Sequence, residues 1–353
     1  MARAKRKASK SYTRYRFSFG PWNIHEGEDP FGPVVRSPFS FAQKVKMYRP
    51  MGFKGVQFHD DDVVPADWGA SETEKGVRKV KRMLDSEGLV AEFVAPRLWE
   101  DPRTIDGAVT SNKASDRRYA LDRSKRNIDI ANMLDTNKIV LWPAREGTYI
   151  REAKDAAASV GRMVDYMNAL LEYDPNLRIL GEMKPNEPMD QAYFPTVGHF
   201  IGLACRTCDP DRVGALIETA HCILAGLDPS DEMAYALWHG KLWSVHLNDQ
   251  NGLKFDQDKT FGAVNIRRAF NQVDVLEQNG FGKNGEFVGL DVKAMRTQKK
   301  AVSMKHLENS REIFLQLVEV SRRINRRVME EYRNARDYEG LELYIVKTLM
   351  GLK

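Results

Sequence analysis

The sequence predicts a (β/α)8 barrel with a short helical extension at its C-terminus. Eight short runs rich in β-branched and aromatic residues recur along the chain, separated by longer stretches with helical periodicity and charged faces. This alternation is typical of βα units around a parallel sheet whose strands are buried on both faces. Eight repeats favour one closed barrel over two domains, and 42% hydrophobic residues are enough to fill its core.

The predicted strands occupy residues 16–22, 55–59, 89–95, 138–143, 178–184, 213–219, 242–248 and 287–293. The helices predicted between them include residues 41–49, 71–86, 117–134, 153–171 and 266–278. Residues beyond 300 are charged and helical in composition, so we expect them to pack on the barrel or on another subunit. We therefore divide the chain into a disordered basic tail at 1–11, a catalytic barrel at 12–300 and a helical extension at 301–353.

Positive charge is concentrated at the N-terminus of the 353-residue chain. The formal net charge is +5, and residues 1–10 contain five lysines and arginines and no acidic residue. Without this stretch the chain is close to neutral. A disordered, solvated arm is the simplest interpretation, and contact with nucleic acid or an anionic surface is the alternative.

Two further features bear on where the protein works. The sequence has no run of about 18 apolar residues, and no apolar signal segment follows the basic start, so we expect a cytoplasmic protein that does not enter a membrane. Its three cysteines do not indicate a disulfide framework. Cys205 and Cys208 have the spacing of a metal or redox pair, but no second pair accompanies them.

Carboxylates and histidines cluster at the predicted carboxyl ends of the strands, where barrel enzymes build their active sites. Residues two apart on a strand share a face, so Glu182 with Lys184 and His246 with Asn248 can project together into the barrel mouth. Converging carboxylates repel one another unless cations neutralise them. The sequence therefore predicts bound divalent metal, and the mainly oxygen-donating set favours Mg, Mn or Co. The residues of this set are His59, Asp60, Asp61, Asp62, Glu182, Lys184, Glu218, His221, His246, Asn248, Asp256, Asp258, Asp291 and Lys293.

Each motif taken alone has a simpler interpretation. The run from His59 to Asp62 is typical of a solvated loop or a helix cap, and the Glu218-x-x-His221 pair is typical of a surface. A functional site is favoured because five such clusters fall at the ends of five different predicted strands.

Several segments closely resemble the xylose isomerase family, in its shorter, actinobacterial-type class. The similarity runs from Phe17 to about Thr297, which is almost the whole predicted barrel. The most specific segments are DPFG at 29–32, HDDD at 59–62, REG at 145–147, KPNEP at 184–188, PTVGH at 195–199, LNDQNGLKFDQD at 247–258 and FGA at 261–263.

The resemblance implies two divalent metal ions per subunit. Glu182, Glu218 and Asp291 match ligands of a first metal that holds sugar hydroxyl oxygens, with His246 at the fourth ligand position. Glu218 then bridges to a second metal that polarises the carbonyl. The second site also takes His221, Asp256 and Asp258.

The resemblance also implies roles in catalysis and substrate binding. His59, oriented by Asp62, matches the residue that opens the cyclic sugar, and Lys184 matches the ammonium that contacts the reacting oxygen. The apolar wall of the site is implied for Trp22, Trp99 and Trp142, and Phe31 matches an aromatic side chain inserted from a neighbouring subunit; each could instead be a core aromatic residue.

His246 is the most consequential departure from the family, which normally has Asp at this position. A neutral imidazole removes one negative charge and adds one nitrogen donor, so we expect weaker Mg binding and a relative preference for Mn, Co, Zn or Ni. Loss of the metal site is the alternative. Related enzymes such as rhamnose isomerase and tagatose epimerase combine carboxylates with one histidine, which favours retention. Ala95, Met183 and Cys222 are further departures that affect the expected sugar more than the reaction.

The leading hypothesis is a metal-dependent aldose–ketose isomerase that converts D-xylose to D-xylulose by ring opening and a hydride shift. An isomerase or epimerase of another sugar, acting through an enediolate, is the second hypothesis. A non-catalytic sugar-binding descendant is the third, and a metal-dependent phosphodiesterase is disfavoured because the barrel lacks surplus positive charge.

The expected partners are a small sugar and further copies of the chain. The family's long C-terminal arm wraps a partner subunit, and the residues after Arg333 supply only a short version of it. A homo-oligomer, either a tetramer or a dimer, is therefore expected.

Overall fold

The computed structural model describes residues 14–29 and 31–352. The predicted basic tail at 1–11 lies outside the described residues.

Eight parallel strands close into a barrel, which confirms the predicted fold. Each strand pairs with its neighbours in the sequence, and the first pairs with the last. The barrel strands are β1 (Arg16–Phe19), β2 (Gly55–His59), β3 (Val90–Ala95), β4 (Lys138–Leu141), β5 (Arg178–Glu182), β6 (Val213–Glu218), β7 (Leu242–Leu247) and β8 (Phe287–Leu290). A small antiparallel pair, Gly147–Thr148 with Gln191–Ala192, joins the loops that follow β4 and β5.

Helices follow the strands and surround the barrel. They are α1 (Phe41–Tyr48), α2 (Asp60–Val63), α3 (Ala70–Ser86), α4 (Ala114–Met133), α5 (Ala156–Tyr173), α6 (Val197–Ala204), α7 (Thr219–Leu224), α8 (Pro229–Trp238), α9 (Ile266–Gln278), α10 (Lys305–Arg323), α11 (Arg326–Ala335) and α12 (Tyr338–Leu349). Short 3-10 helices occupy Pro21–Asn23, Arg151–Ala153, Pro210–Arg212 and Lys300–Val302.

Polar side chains fix where several helices begin. Ser40 accepts a hydrogen bond from the Gln43 backbone while the Gln43 side chain accepts one from the Ser40 backbone, so α1 starts with a capping box. Asp155 and Asn265 accept backbone hydrogen bonds at the starts of α5 and α9. These caps satisfy amide groups that have no partner within the helix.

The apolar core has two parts because neighbouring residues on a strand face opposite sides. The larger part lies between strands and helices and includes Ile139, Ile179 and Val245. The smaller part is built from strand residues alone and fills the barrel interior: Phe93, Ala95, Val140, Leu180, Leu216 and Trp243. This interior layer lies below the polar strand ends.

The first helix of the predicted C-terminal extension packs tightly on the barrel. Phe314 of α10 is fully buried and meets the rings of Tyr15 and Phe17 edge to face. His306, near the start of α10, hydrogen bonds through Nε2 to the backbone oxygen of Asn23 at 2.8 Å. The α10 helix therefore belongs to the barrel's core, whereas α11 and α12 each bury a single residue.

Among the helices within residues 14–29 and 31–352, none combines the length and apolarity needed to cross a membrane.

Candidate metal centre

Four potential ligands meet at the carboxyl ends of adjacent strands. Glu182 and Glu218 are the last residues of β5 and β6, His246 lies in β7, and Asp291 directly follows β8. The strand register places His246 beside Glu218, because these two residues are partners across β6 and β7. One ligand atom from each of the four residues lies within 4.8 Å of the others. The arrangement could hold one cation between three carboxylates and an imidazole.

Strong electrostatic coupling within this group follows from its burial. Burial raises the pKa of Glu182, but His246 at 3.0 Å outweighs it and holds that pKa at about 2. Burial, Asp256 and Glu182 together raise the pKa of Glu218 to about 8. The pKa of His246 is raised well above its ordinary value, since Glu182 and Glu218 overcome the effect of burial. The cluster therefore favours added positive charge, which a proton or a divalent cation can supply.

A second group shares Glu218 with the first. Ligand atoms of Glu218, His221 and Asp256 also lie within 4.8 Å of one another. His221 Nε2 lies 3.0 Å from Asp256 Oδ2 and 3.3 Å from Glu218 Oε1. His221 Nδ1 and Asp256 Oδ1 are buried without a hydrogen-bond partner.

Lysines neutralise part of this second group. Lys184 Nζ lies 2.9 Å from Asp256 Oδ2 and 3.1 Å from Glu187 Oε2. Asp258 is not part of the second group of ligand atoms; its carboxylate contacts Lys293 Nζ at 2.5 Å and accepts from Asn248 Nδ2 at 3.1 Å. Its role as a metal ligand stays a prediction.

The donor set of the first group suits a divalent cation. Buried carboxylates are costly unless positive charge compensates them, and metal coordination is one way to supply that charge. Three carboxylates and one imidazole are ligands that Mn, Co and Zn accept readily. The orphaned His221 Nδ1 and Asp256 Oδ1 atoms show that the second group also has unused hydrogen-bonding or ligand capacity.

Asp291 is further held by groups from the first strand's loop. Trp22 Nε1 donates to Asp291 Oδ1 at 3.0 Å, and Asn23 Nδ2 donates to the same oxygen at 3.3 Å. These contacts leave Oδ2 of Asp291 without a described hydrogen bond. The carboxylate is therefore oriented by one oxygen and can offer the other to a ligand.

His59 and Asp62 form the predicted pair at the start of α2. Asp62 Oδ2 accepts from the His59 backbone at 2.9 Å and lies 3.0 Å from His59 Nδ1. Arg97 Nη2 lies 2.8 Å from the same Nδ1 and 3.4 Å from Asp62 Oδ1. Burial raises the pKa of Asp62, but His59 and Arg97 outweigh it and lower that pKa below its ordinary value.

Three tryptophans surround His59 and Lys184. The rings of Trp22 and Trp99 lie 4.3 Å and 5.2 Å from the His59 ring, and Trp99 meets Trp142 edge to face at 4.6 Å. Lys184 Nζ lies 5.4 Å from the centre of the Trp142 ring. These contacts place the predicted wall around the predicted catalytic groups.

Phe31 occupies a different environment from the tryptophans. It is 83% exposed and contacts Phe255 edge to face, with ring centres 5.5 Å apart. Its predicted insertion into a neighbouring subunit stays a prediction.

Sequence reasoning missed three polar residues of this region: Gln57, Glu92 and Arg97. Gln57 stands two residues before His59 in a strand of otherwise apolar residues, so it faces the same side of the sheet. Arg97 follows the carboxyl end of β3, the strand beside His59. The positions of Gln57 and Arg97 in the sequence could have predicted that both face the site. Glu92 could not be predicted in this way, because it lies at an irregularity of strand pairing that periodicity does not show.

Solved structures with the same architecture share little sequence with this chain. A D-tagatose 3-epimerase-like protein is 14% identical with a TM-score of 0.62, and the match covers 86% of this chain and 98% of that one. A xylose isomerase domain protein from Alicyclobacillus acidocaldarius is 13% identical with a TM-score of 0.60, covering 87% and 99%. The IOLI protein, solved with a zinc atom, is 12% identical with a TM-score of 0.59, covering 86% and 98%. At these identities the similarity shows the fold.

The sequence itself carries the family assignment. Residues 45–281 match the family described as xylose isomerase-like TIM barrel. This span runs from within α1 into the loop after α9 and contains every residue of the two ligand groups except Asp291. Because the match extends over more than half of the chain, this protein belongs to the xylose isomerase-like TIM barrel family.

Proposed function

We propose that this protein is a divalent-metal-dependent isomerase of a small sugar, with conversion of an aldose to its ketose as the leading reaction and D-xylose as the leading substrate. The observation that carries the proposal is the convergence of Glu182, Glu218, His246 and Asp291 on one point at the barrel mouth. Family membership and the sugar epimerases among the structural neighbours support the substrate class.

Residues of the first group would hold one metal ion, and Glu218, His221 and Asp256 are the candidates for a second. When bound, a divalent ion supplies Lewis-acid polarisation of substrate oxygens. The carboxylates position that charge at the strand ends, where an open-chain sugar can reach it. The number of ions and their identity belong to the proposal.

His59 is suited to proton transfer at the sugar ring oxygen. Asp62 and Arg97 engage its Nδ1, and no described contact engages Nε2. Because Trp22 and Trp99 flank the ring, Nε2 can exchange a proton with a substrate oxygen in a partly apolar setting. Ring opening moves the proton of the anomeric hydroxyl to the ring oxygen, and His59 is placed to carry it.

Lys184 is suited to stabilise the reacting carbonyl oxygen. Asp256 and Glu187 outweigh burial and raise the pKa of Lys184, so its side chain remains a hydrogen-bond donor near neutral pH. In the leading reaction, hydrogen moves with its electron pair from C2 to C1 of the aldose, and the proton of the C2 hydroxyl passes to the C1 oxygen. The tryptophan wall excludes water that would otherwise exchange with these groups.

An epimerase is a second candidate that one observation favours. His246 replaces a carboxylate in the ligand set, and several structural neighbours are sugar 3-epimerases. Epimerisation through an enediolate needs a base that removes a proton from carbon on one face and an acid that returns a proton to the same carbon on the opposite face. Glu182 and Asp291, which lie on opposite sides of His246 in the order of strands, could provide such bases.

Deuterium tracing distinguishes these two reactions. Metal-stripped protein is restored separately with Mg, Mn, Co and Zn and assayed against a panel of aldoses and ketoses that carry deuterium at C2 or C3. Retention of a C2 label in a ketose product is expected for the leading reaction. Loss of a C3 label from a ketose to water, with formation of its C3 epimer, indicates the epimerase. No turnover of any sugar with any of the four metals would contradict both.

The matched pair of variants for this assay is E182Q and E330Q. Glu182 belongs to the ligand group, whereas Glu330 is exposed on α11 and pairs with Arg333. Replacing one ligand carboxylate should reduce turnover by about a hundredfold or more, while E330Q should match the wild type. If E182Q and E330Q are equally active, Glu182 is not a functional residue of the site.

A further inference from the structure

A chain of buried polar side chains lies inside the barrel beneath the ligand group. Ser18, Gln57, Glu92 and Ser244 come from four different strands, and none is more than 2% exposed. Barrel interiors are usually packed with branched apolar side chains. Polar groups at such depth are costly unless each one is hydrogen bonded, so their mutual contacts fix their orientation.

Glu92 is the shared hydrogen-bond acceptor of these buried polar side chains. The pairing between β2 and β3 skips Glu92, because Val56 pairs with Ala91 and Gln57 pairs with Phe93. Such an irregularity re-aims a side chain relative to the regular alternation. Glu92 thereby accepts hydrogen bonds from the Ser18 hydroxyl, from Gln57 Nε2 at 3.1 Å and from Ser244 Oγ at 2.6 Å.

These contacts determine which way the Gln57 amide faces. A carboxylate oxygen accepts and does not donate, so the Gln57 NH2 group must point towards Glu92. Gln57 Nε2 also donates to Ser18 Oγ at 3.2 Å. Both hydrogens of the amide are therefore used, and Oε1 is turned the other way.

Gln57 Oε1 faces the ring of His246. It lies 3.1 Å from His246 Nε2, and an amide oxygen can only accept, so Nε2 must carry a hydrogen. The other ring nitrogen, Nδ1, lies 3.0 Å from Glu182 Oε1 and 3.7 Å from Glu218 Oε2. A carboxylate also only accepts, so Nδ1 carries a hydrogen as long as no cation is bound. A cation that displaces this hydrogen finds the lone pair of the neutral ring on Nδ1, directed at the ligand group.

Gly289 of β8 leaves the space that this arrangement needs. A Cβ atom at residue 289 would lie 2.5 Å from Gln57 Nε2 and 3.3 Å from His246 Cδ2. Gly289 is also the strand partner of His246 across β7 and β8. The absent side chain thus lets the glutamine reach the histidine across the barrel.

We propose that Gln57, anchored by Glu92, is a positioning residue that fixes the ring orientation and tautomer of His246, so that Nδ1 is the metal-binding nitrogen. The inference rests on the proposed metal site. It explains which ring nitrogen of His246 binds the metal beside the three carboxylates. Hydrogen-bond partners behind a ligating histidine commonly set its tautomer and contribute to metal affinity.

The direct test is the protonation pattern of His246 in the zinc-loaded protein. Long-range proton–nitrogen NMR spectra of protein labelled with 15N in its histidines report which ring nitrogen carries hydrogen, and an H246N variant assigns the signal. We expect hydrogen on Nε2 and zinc on Nδ1. Zinc on Nε2, or hydrogen on Nδ1, would overturn the proposal while leaving the metal site intact.

Two variants distinguish the loss of the Gln57–His246 contact from general damage to the buried polar side chains. Q57L removes the contact with His246, and S244A removes a hydrogen bond to Glu92 while leaving Gln57 and His246 in contact. We expect Q57L to weaken zinc binding about 10- to 100-fold in calorimetric titration and to lose the single tautomer, whereas S244A keeps both. Equal zinc affinity of Q57L and wild type, or equal losses in Q57L and S244A, would contradict the assigned role.

The wild-type spectrum keeps the proposal testable if Q57L does not fold. Failure of the wild-type protein to bind zinc at all would reject the proposed metal site, and this inference with it. Zinc binding with the reversed ring would reject this inference alone.

Discussion

At the scale of single residues, His246 distinguishes the candidate metal centre from a cluster of carboxylates alone. It contributes nitrogen to a group of carboxylates, lies 3.0 Å from Glu182 and is held from behind by Gln57. Within one buried cluster, His246 lowers the pKa of Glu182, whereas burial raises the pKa of Glu218. One imidazole in place of a carboxylate changes the charge of this cluster, and in the proposed site we expect it to change the metal preference as well.

Replacing His246 with aspartate should shift metal preference towards magnesium. H246D exchanges a nitrogen donor for an oxygen donor and adds a negative charge, which favours a hard cation over zinc. We expect the ratio of zinc to magnesium affinity to fall on the order of tenfold. Competition titrations measure this ratio. H199D makes the same change at an exposed histidine and should leave the ratio at the wild-type value, and an unchanged ratio in H246D would count against His246 as a ligand.

At the scale of elements, the strand starts agree closely with the sequence prediction, and the strand ends differ. The predicted runs 138–143, 178–184 and 287–293 extend two or three residues beyond β4, β5 and β8. Strand pairing stops at these ends, yet Lys184 and Asp291, which lie just beyond them, still contact or belong to the two ligand groups. Apolar and polar alternation continues past the last ladder hydrogen bond, so the sequence pattern does not reveal where the ladder ends.

The docking of α10 should make stability depend on pH. Burial lowers the pKa of His306 to about 4, whereas an unfolded histidine titrates near 6.5. Between these values the unfolded chain binds a proton that the folded chain does not, so stability is full above pH 6.5 and falls as the pH drops towards 4. The loss attributable to His306 is about 3 kcal/mol.

An H306Q variant isolates this contribution. Its amide can still donate to the Asn23 backbone oxygen, but it does not titrate. Urea unfolding at pH 7 and pH 5 should show a smaller loss of unfolding free energy in H306Q than in the wild type. Part of the loss remains, because burial also lowers the pKa of His25 to about 4. Parallel losses in the two proteins would contradict the role of His306.

At the scale of the whole molecule, the closed barrel followed from the sequence because eight buried strands leave a strong periodic signal. The closeness of Glu182, Glu218 and Asp291 followed as well, since the carboxyl ends of parallel strands meet at one mouth, while their role as metal ligands stays a prediction. The contacts of Arg97 and the chain from Glu92 to Gln57 did not follow. They depend on lateral neighbours and on a shift in strand pairing, neither of which periodicity encodes.

The strand ends are proposed to hold a catalytic divalent metal. Anomalous X-ray diffraction from crystals of the protein grown with zinc or manganese tests it most directly, because the metal is located by its own scattering. We predict a peak at about 2.0–2.3 Å from atoms of Glu182, Glu218, His246 and Asp291, with His246 Nδ1 as the nitrogen ligand. Absence of a peak among these residues at saturating metal would contradict the account.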